Sequence, residues 1–172
     1  MTTGALVVVG ASLAGLRACE AARRAGYAGR LVLVGAEDHL PYDRPPLSKA
    51  VLAAGGQPAA TTYRTADDLT VLGVELRLGA PATALDLDAR EVHVGGRPLA
   101  FDRLVVATGA HARHLPGEAL PGVHVLRTVD DALAVRAALD AAARTVVVGA
   151  GFIGTEVASA ARARGLPVTV VE

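Results

Sequence analysis

Leu6-Val7-Val8-Val9-Gly10-Ala11-Ser12-Leu13-Ala14-Gly15 opens the chain, and Thr145-Val146-Val147-Val148-Gly149-Ala150-Gly151-Phe152-Ile153-Gly154 writes the same pattern a second time. Each string is an apolar strand, a glycine turn and a helix start. Each then continues through an Ala/Arg-rich run to a further glycine, Gly26 or Gly165. A helix N-terminus carries unpaired N–H groups and the positive end of the helix dipole, so a pyrophosphate can sit there. One such turn can serve packing alone. Two in matching register point to two dinucleotides in one protein, and so to electron transfer.

Working outward, Leu13, Leu16, Ala21 and Ala25 stand against polar Arg17, Glu20, Arg23 and Arg24, which predicts a helix stopped by Gly26. Strand Leu31–Val34 follows and ends in Gly35-Ala36-Glu37-Asp38. Glu37 lies about 20 residues beyond the turn, where a carboxylate can reach a ribose diol. The runs Leu6–Val9, Leu31–Val34, Leu104–Ala107, Val146–Val148 and Val168–Val171 are continuously apolar. Strands of that kind belong to parallel sheets covered on both faces, here expected by helices. From Val74 the character changes. Val74–Leu78, Ala82–Leu87, Glu91–Val94 and Pro98–Phe101 are short β-like pieces between turn signals, and they predict a small antiparallel meander. Strand Leu104–Ala107 runs into Thr108-Gly109, at a strand's C-terminal end where ligands of open α/β sheets lie. Val129–Ala143 reads as a helix opened by Asp130 and Asp131. The fold class is therefore α/β, with two Rossmann-like dinucleotide-binding units and a small β-meander. Residues 1–115 are expected to form the first unit. Residues 116–172 are expected to form a linker helix and the first βαβ of the second, with Pro116–Gly122 as the boundary loop.

Of the 172 residues 52% are hydrophobic, enough for a real core, while 17 basic side chains balance 17 acidic ones. A neutral chain carries no global field toward nucleic acid or anionic membrane. Aromatics at 3% leave no stacking platform for bases. The apolar run Ala5–Val9 is short and no Lys or Arg precedes it, so no signal peptide and no membrane span are expected, and the location is cytoplasmic. Cys19, the single cysteine, reads as a buried helix residue. His39, His93, His111, His114 and His124 are scattered, and no metal site is expected. Arg17, Arg23, Arg24, Arg162 and Arg164 read as solvated helix faces.

One stretch has no generic structural reason to occur: Leu40-Pro41-Tyr42-Asp43-Arg44-Pro45-Pro46-Leu47-Ser48-Lys49. Its prolines forbid a helix interior up to Pro46, and a short helix is expected to begin near Leu47. The result is a stiff loop presenting Arg44 and Lys49 to a phosphate or a redox ring. With Val106–Ala110 (VATGA), Leu126–Thr128 (LRT) and Val147–Glu156 (VVGAGFIGTE), this stretch resembles the N-terminal half of the FAD-dependent, NAD(P)H-using ferredoxin reductases. That family includes putidaredoxin and rubredoxin reductases and lies within the pyridine nucleotide-disulphide oxidoreductase superfamily.

The resemblance implies that Gly10, Ser12 and Gly15, with Leu13 and Ala14, form the FAD pyrophosphate turn, and that Glu37 holds the adenosine ribose. Ser12 stands where a glycine is usual. Arg44 matches an FAD-contacting arginine, and Lys49 a lysine beside the flavin ring. Ala82, Ala107, Thr108, Gly109 and Arg127 match further FAD contacts. Gly149, Gly151, Phe152, Ile153 and Gly154 match the nicotinamide-dinucleotide turn, Glu172 its ribose acid, and Glu156 a catalytic glutamate near Lys49. His111 stands where arginine is common. The implied activity passes electrons from NAD(P)H, with NADH preferred, through FAD to a ferredoxin-like iron–sulfur protein. NADH gives up two electrons as a hydride, an iron–sulfur protein accepts one at a time, and a flavin can hold either number. No redox Cys pair lies in Pro41–Lys49, which favours a one-electron protein acceptor over a dithiol.

Two alternatives stand beside this reading. Gly10-Ala11-Ser12-Leu13-Ala14 approximates a G-x-S-x-G nucleophile elbow, which would make Ser12 the nucleophile of a serine hydrolase. The family also resumes its FAD domain after the NAD domain. A chain stopping at Glu172 is therefore expected to be an incomplete reductase that retains little FAD and has no independent activity. Val146, Val148, Phe152, Ile153, Val168 and Val170 are then expected to form an exposed apolar patch.

Overall fold

A computed structural model describes residues 4–55, 62–113, 115–116 and 120–172. His114 and residues 117–119 of the expected boundary loop lie outside the described residues. The chain divides into two compact units, Met1–Tyr42 with Thr62–Ala110, and Asp43–Thr61 with His111–Glu172.

The first unit runs β1 (Ala5–Val9), α1 (Leu13–Arg24), β2 (Arg30–Val34), α2 (Ala66–Val71), β3 (Val74–Arg77), β4 (Ala82–Asp86), β5 (Glu91–Val94), β6 (Arg97–Ala100) and β7 (Arg103–Val106). Four strands form a parallel sheet in the order β3-β2-β1-β7, with Val7 opposite Val32 and Leu104. Alternate residues divide between its faces. Leu6, Val8, Leu31 and Leu33 pack with Cys19 and Ala22 of α1, while Val7, Val9, Val32 and Val34 pack with Val92 and Leu99 of the three-stranded antiparallel sheet β4-β5-β6. The runs Leu6–Val9, Leu31–Val34 and Leu104–Val106 are apolar throughout because both faces are covered.

Three expectations change here. Helices were expected on both faces, but one face is covered by the antiparallel sheet. Val74–Arg77 is not part of that meander: it pairs in parallel with β2, where Val74 and Leu76 join the core under α1. Helix α2 was not anticipated, although Thr65-Ala66-Asp67-Asp68 supplies a complete capping box, with Thr65 Oγ1 accepting from the Asp68 N–H and the Asp68 carboxylate accepting from the Thr65 N–H.

The arginines of α1 do more than solvate a face. Arg23 donates to the carbonyls of Tyr27, Gly29, Leu72 and Gly73 at 2.6–2.9 Å, tying the helix end to the turns before β2 and β3. Glu20, expected on the polar side, is buried and pairs with Arg17 at 2.6 Å and Arg64 at 2.8 Å.

The second unit contains a single 3-10 turn (Pro45–Ser48), α3 (Val129–Ala141), β8 (Thr145–Val148), α4 (Phe152–Ala163) and β9 (Val168–Val171). The turn begins at Pro45 rather than near Leu47, because proline's fixed φ suits a first helical position. Strands β8 and β9 pair in parallel. Leu52, Val135, Leu139 and Ala161 form the buried core, with Val157, Leu166 and Val168 against them. Arg164, expected to be solvated, is half-buried: it donates to the Leu52 carbonyl at 2.7 Å and pairs with Asp140 at 2.6 Å.

Val147 and Val168 lie on the covered side of the β8–β9 pair. The bare side is Val146, Val148 and Val171, at 61%, 67% and 48% exposure, and Phe152 and Ile153 are also exposed. The expected patch therefore exists, but Val168 and Val170, which alternate onto the side of Val147, are withdrawn from it and Val171 is added.

Candidate functional site

In the first unit the chain leaves β1 at Gly10, whose φ of +121° is open to glycine and whose N–H donates to the Val34 carbonyl at 2.8 Å. A Cβ at Gly10 would stand 2.0 Å from the Ala107 carbonyl oxygen. One at Gly15 would stand 1.9 Å from the Gly10 oxygen and 3.2 Å from Leu33 Cδ1. These two glycines let α1 start directly against the strand end. The second unit repeats the construction. Gly149 has φ +100° and donates to the Val171 carbonyl at 2.7 Å, and a Cβ at Gly154 would stand 2.0 Å from the Gly149 oxygen and 3.3 Å from Val147 Cγ1. The middle position differs in kind. A Cβ added at Gly151 meets nothing within 4 Å, so Ser12, its counterpart in the first turn, needs no room made for it.

The helix starts separate the same way. Helices α2 and α3 carry complete capping boxes, through Thr65/Asp68 and Thr128/Asp131. Helices α1 and α4 begin at Ser12 and Gly151 with no side-chain cap bond and no acidic residue in the first turn. Both turns therefore offer backbone N–H donors and a positive dipole end with no carboxylate in the helix's own first turn, although Glu172 takes the Ala150 N–H beside the second. The first is the donor set that fits a pyrophosphate without displacement.

Around the first turn lie the C-terminal ends of β1, β2 and β7. After β2, the Gly79 N–H donates to the Glu37 carbonyl and the Ala80 N–H to the Gly35 carbonyl, both at 3.0 Å. This holds Glu37 next to the approach to Ala82, the first residue of β4. The Glu37 carboxylate accepts from the hydroxyl of buried Tyr42. Ala107, whose N–H donates to the Val9 carbonyl at 2.7 Å, leads into Thr108 and Gly109 on the same end of the sheet.

The second unit gathers another group. Arg44 donates to the Arg127 carbonyl at 2.8 Å. Lys49 Nζ lies 2.9 Å from Glu156 Oε1, and Ser48 Oγ donates to Glu156 Oε2 at 2.5 Å. The Ser48 hydroxyl, and then the Lys49 ammonium, hold the Glu156 carboxyl below its ordinary range. Arg136 donates to the Val51 carbonyl at 3.0 Å and Arg164 to that of Leu52, so the backbone just after Lys49 is pinned by two guanidiniums. At the second glycine turn, the Ala150 N–H donates to the Glu172 carboxylate at 2.5 Å. Ser48 and Tyr42 escaped the sequence reading, since a hydroxyl carries no signal until its partner is placed. Lys49 is also the only lysine in the sequence, every other long basic side chain being arginine.

The chain belongs to the pyridine nucleotide-disulphide oxidoreductase family, whose model matches residues 4–172. It is 42% identical over 170 residues to rhodocoxin reductase of Rhodococcus erythropolis, covering 97% of this chain and 40% of that protein. It is 44% identical over 171 residues to the ferredoxin–NAD(+) reductase component of the p-cumate 2,3-dioxygenase system of Pseudomonas putida, covering 97% and 42%. The crystal structure of the ferredoxin reductase for the CYP199A2 system from Rhodopseudomonas palustris superposes with a TM-score of 0.90 at 39% identity, covering 96% of this chain and 42% of that one. The chain thus spans about two-fifths of the length of these relatives. Family membership leaves the serine-hydrolase reading of Ser12 without support. Among the described residues, no helix is long and apolar enough to cross a membrane.

Proposed function

We propose that this chain supplies the FAD turn and the opening of the NAD(P)H-binding part of a flavoprotein that passes electrons from NADH to a small iron–sulfur protein. The observation that carries the reading is the repeated close approach of helix to strand, 1.9 Å at Gly15 and 2.0 Å at Gly154 for an added Cβ, under two uncapped helix starts. Residues 1–115 serve FAD and residues 116–172 begin the nicotinamide part.

In this reading the N–H groups at Ser12–Gly15 hold the FAD pyrophosphate, Glu37 accepts from its ribose, and Ala82, Ala107, Thr108 and Gly109 line the same unit's site; Arg44 and Arg127 are assigned to FAD on the family resemblance alone. Gly149, Gly151, Phe152, Ile153 and Gly154 hold the nicotinamide dinucleotide, and Glu172 accepts from its ribose diol. A 2′-phosphate beside Glu172 meets a negative charge and loses those bonds, so NADH is preferred over NADPH. Bound flavin supplies the exchange between two-electron and one-electron chemistry. Lys49 presents a fixed ammonium whose charge is balanced by Glu156. The names of the relatives support a ferredoxin-like acceptor.

The test uses FAD-reconstituted protein. Lys49→Ala is expected to slow flavin reduction by NADH more than it weakens FAD retention. Unchanged reduction kinetics in the flavin-replete variant would remove Lys49 from the mechanism. Equal rates with NADH and NADPH would remove Glu172 from cofactor selection.

A further inference from the structure

Glu156 has two oxygens and two different partners. Oε1 faces the Lys49 ammonium at 2.9 Å, and Oε2 accepts from Ser48 Oγ at 2.5 Å. Lys49 is 59% exposed, but Ser48 is buried, on the last residue of the 3-10 turn. A salt bridge between exposed side chains is ordinarily loose, because two long side chains must be ordered to make it. Here one end of the pair is anchored. The serine is adjacent to the lysine in sequence, and its turn is held by proline at its start and, further along, by Arg136 and Arg164 on the carbonyls of Val51 and Leu52.

We propose that Ser48 is a positioning residue. Its hydroxyl locks the Glu156 carboxylate in one orientation, and through that carboxylate it fixes where the Lys49 ammonium stands. The chain uses arginine at every other long basic position, yet keeps lysine here. A compact ammonium can be placed by a single carboxylate oxygen, whereas a guanidinium fork takes both. An arginine spanning both oxygens would compete with Ser48 for Oε2. The serine and the lysine are thus one device: a carboxylate shared between a buried hydroxyl and a half-exposed charge. A pre-placed charge acts on a redox ring without reorganising when the ring's charge changes. That service to a flavin rests on the function proposed above, whereas the device itself is tested with no nucleotide present.

The 172-residue chain carrying 13C-labelled glutamate is titrated by NMR, with the Glu156 Cδ signal assigned by its loss in Glu156→Gln. In parallel, the rate of acylation of the only lysine is followed by mass spectrometry. In the parent, the Glu156 carboxyl is expected to titrate below the ordinary value of 4.5, with the network intact above that pH and opening as pH falls through the lower folded value. In Ser48→Ala the carboxyl is expected to titrate closer to 4.5 and Lys49 to be acylated severalfold faster, approaching the rate in Glu156→Gln. Alanine suits the helical backbone at residue 48, and Ser48→Thr, which keeps the hydroxyl, is expected to restore both readouts. A parental Lys49 rate in Ser48→Ala, with or without a shift of Glu156, would overturn the positioning role. If both readouts behave as expected but FAD does not bind, the flavin assignment fails and the device stands.

Discussion

At Gly15 and at Gly151 the same small change has opposite consequences, although both glycines belong to the same repeated motif. A methyl at Gly15 lands on the Gly10 carbonyl oxygen, which is backbone and cannot give way without moving α1 off β1. A side chain at Gly151 enters open space at φ −70°, an ordinary angle for any residue. Gly15→Ala is therefore expected to destabilise the first unit by about 1–3 kcal/mol, as overpacked sites do, with no nucleotide present. Gly151→Ser, which copies Ser12, is expected to leave the thermal midpoint unchanged. Chemical and thermal unfolding of the two variants beside the parent checks both statements, and equal losses would show that the glycines share one role. The contrast also explains what was legible at this scale. The outer glycines are demanded by chain packing, so they occur in both copies. The middle one is not, so Ser12 departs from the pattern at no structural cost. The partners of Glu37 and Glu156 were not legible, because Tyr42 and Ser48 reach them only once the fold is formed.

At the scale of elements, the four α-helices among the described residues fall into two kinds that composition alone does not separate. Thr128 caps α3 through its hydroxyl at 3.1 Å from the Asp131 N–H, while Ser12 starts α1 without a side-chain cap bond. Thr128→Ala is expected to cost about 1 kcal/mol of unfolding free energy, the usual worth of a cap. Ser12→Ala is expected to cost little, since no cap bond is lost. Denaturant unfolding monitored by circular dichroism distinguishes them, and an equal cost would show that Ser12 serves its helix rather than a ligand. The apolar runs of β1, β2 and β7 were readable because both faces of their sheet are covered, and those of β8 and β9 read alike although one of their faces is bare. Strand β3 was misplaced for a related reason. Val-Glu-Leu-Arg alternates like a half-exposed meander strand, and only its parallel pairing with β2 shows that it edges the main sheet. The antiparallel strands announced themselves through their turns, but nothing in their sequence said that they would cover the second face of the parallel sheet.

At the scale of the whole molecule, the chain does not divide at one point. Asp43–Thr61 belongs to the compact unit that also contains His111–Glu172. Among the described residues its attachments include arginine-to-carbonyl bonds, the contacts of Ser48 and Lys49 with Glu156 and the buried Leu52, none of which a composition shift would reveal. The parallel sheet of the first unit is covered on both faces, while the β8–β9 pair keeps Val146, Val148 and Val171 bare, so the two units share a motif without sharing its enclosure. In the proposed function each unit carries one dinucleotide turn, and the first takes FAD. Amide NMR of the uniformly 15N-labelled chain tests this most directly, because chemical-shift mapping registers binding too weak for the nucleotide to be retained through purification. FAD is expected to shift the amides of Gly10, Ser12–Gly15 and Glu37 saturably, and NADH those of Gly149–Gly154 and Glu172. A folded chain whose amides at both turns stay unmoved by millimolar FAD and NADH would contradict the account.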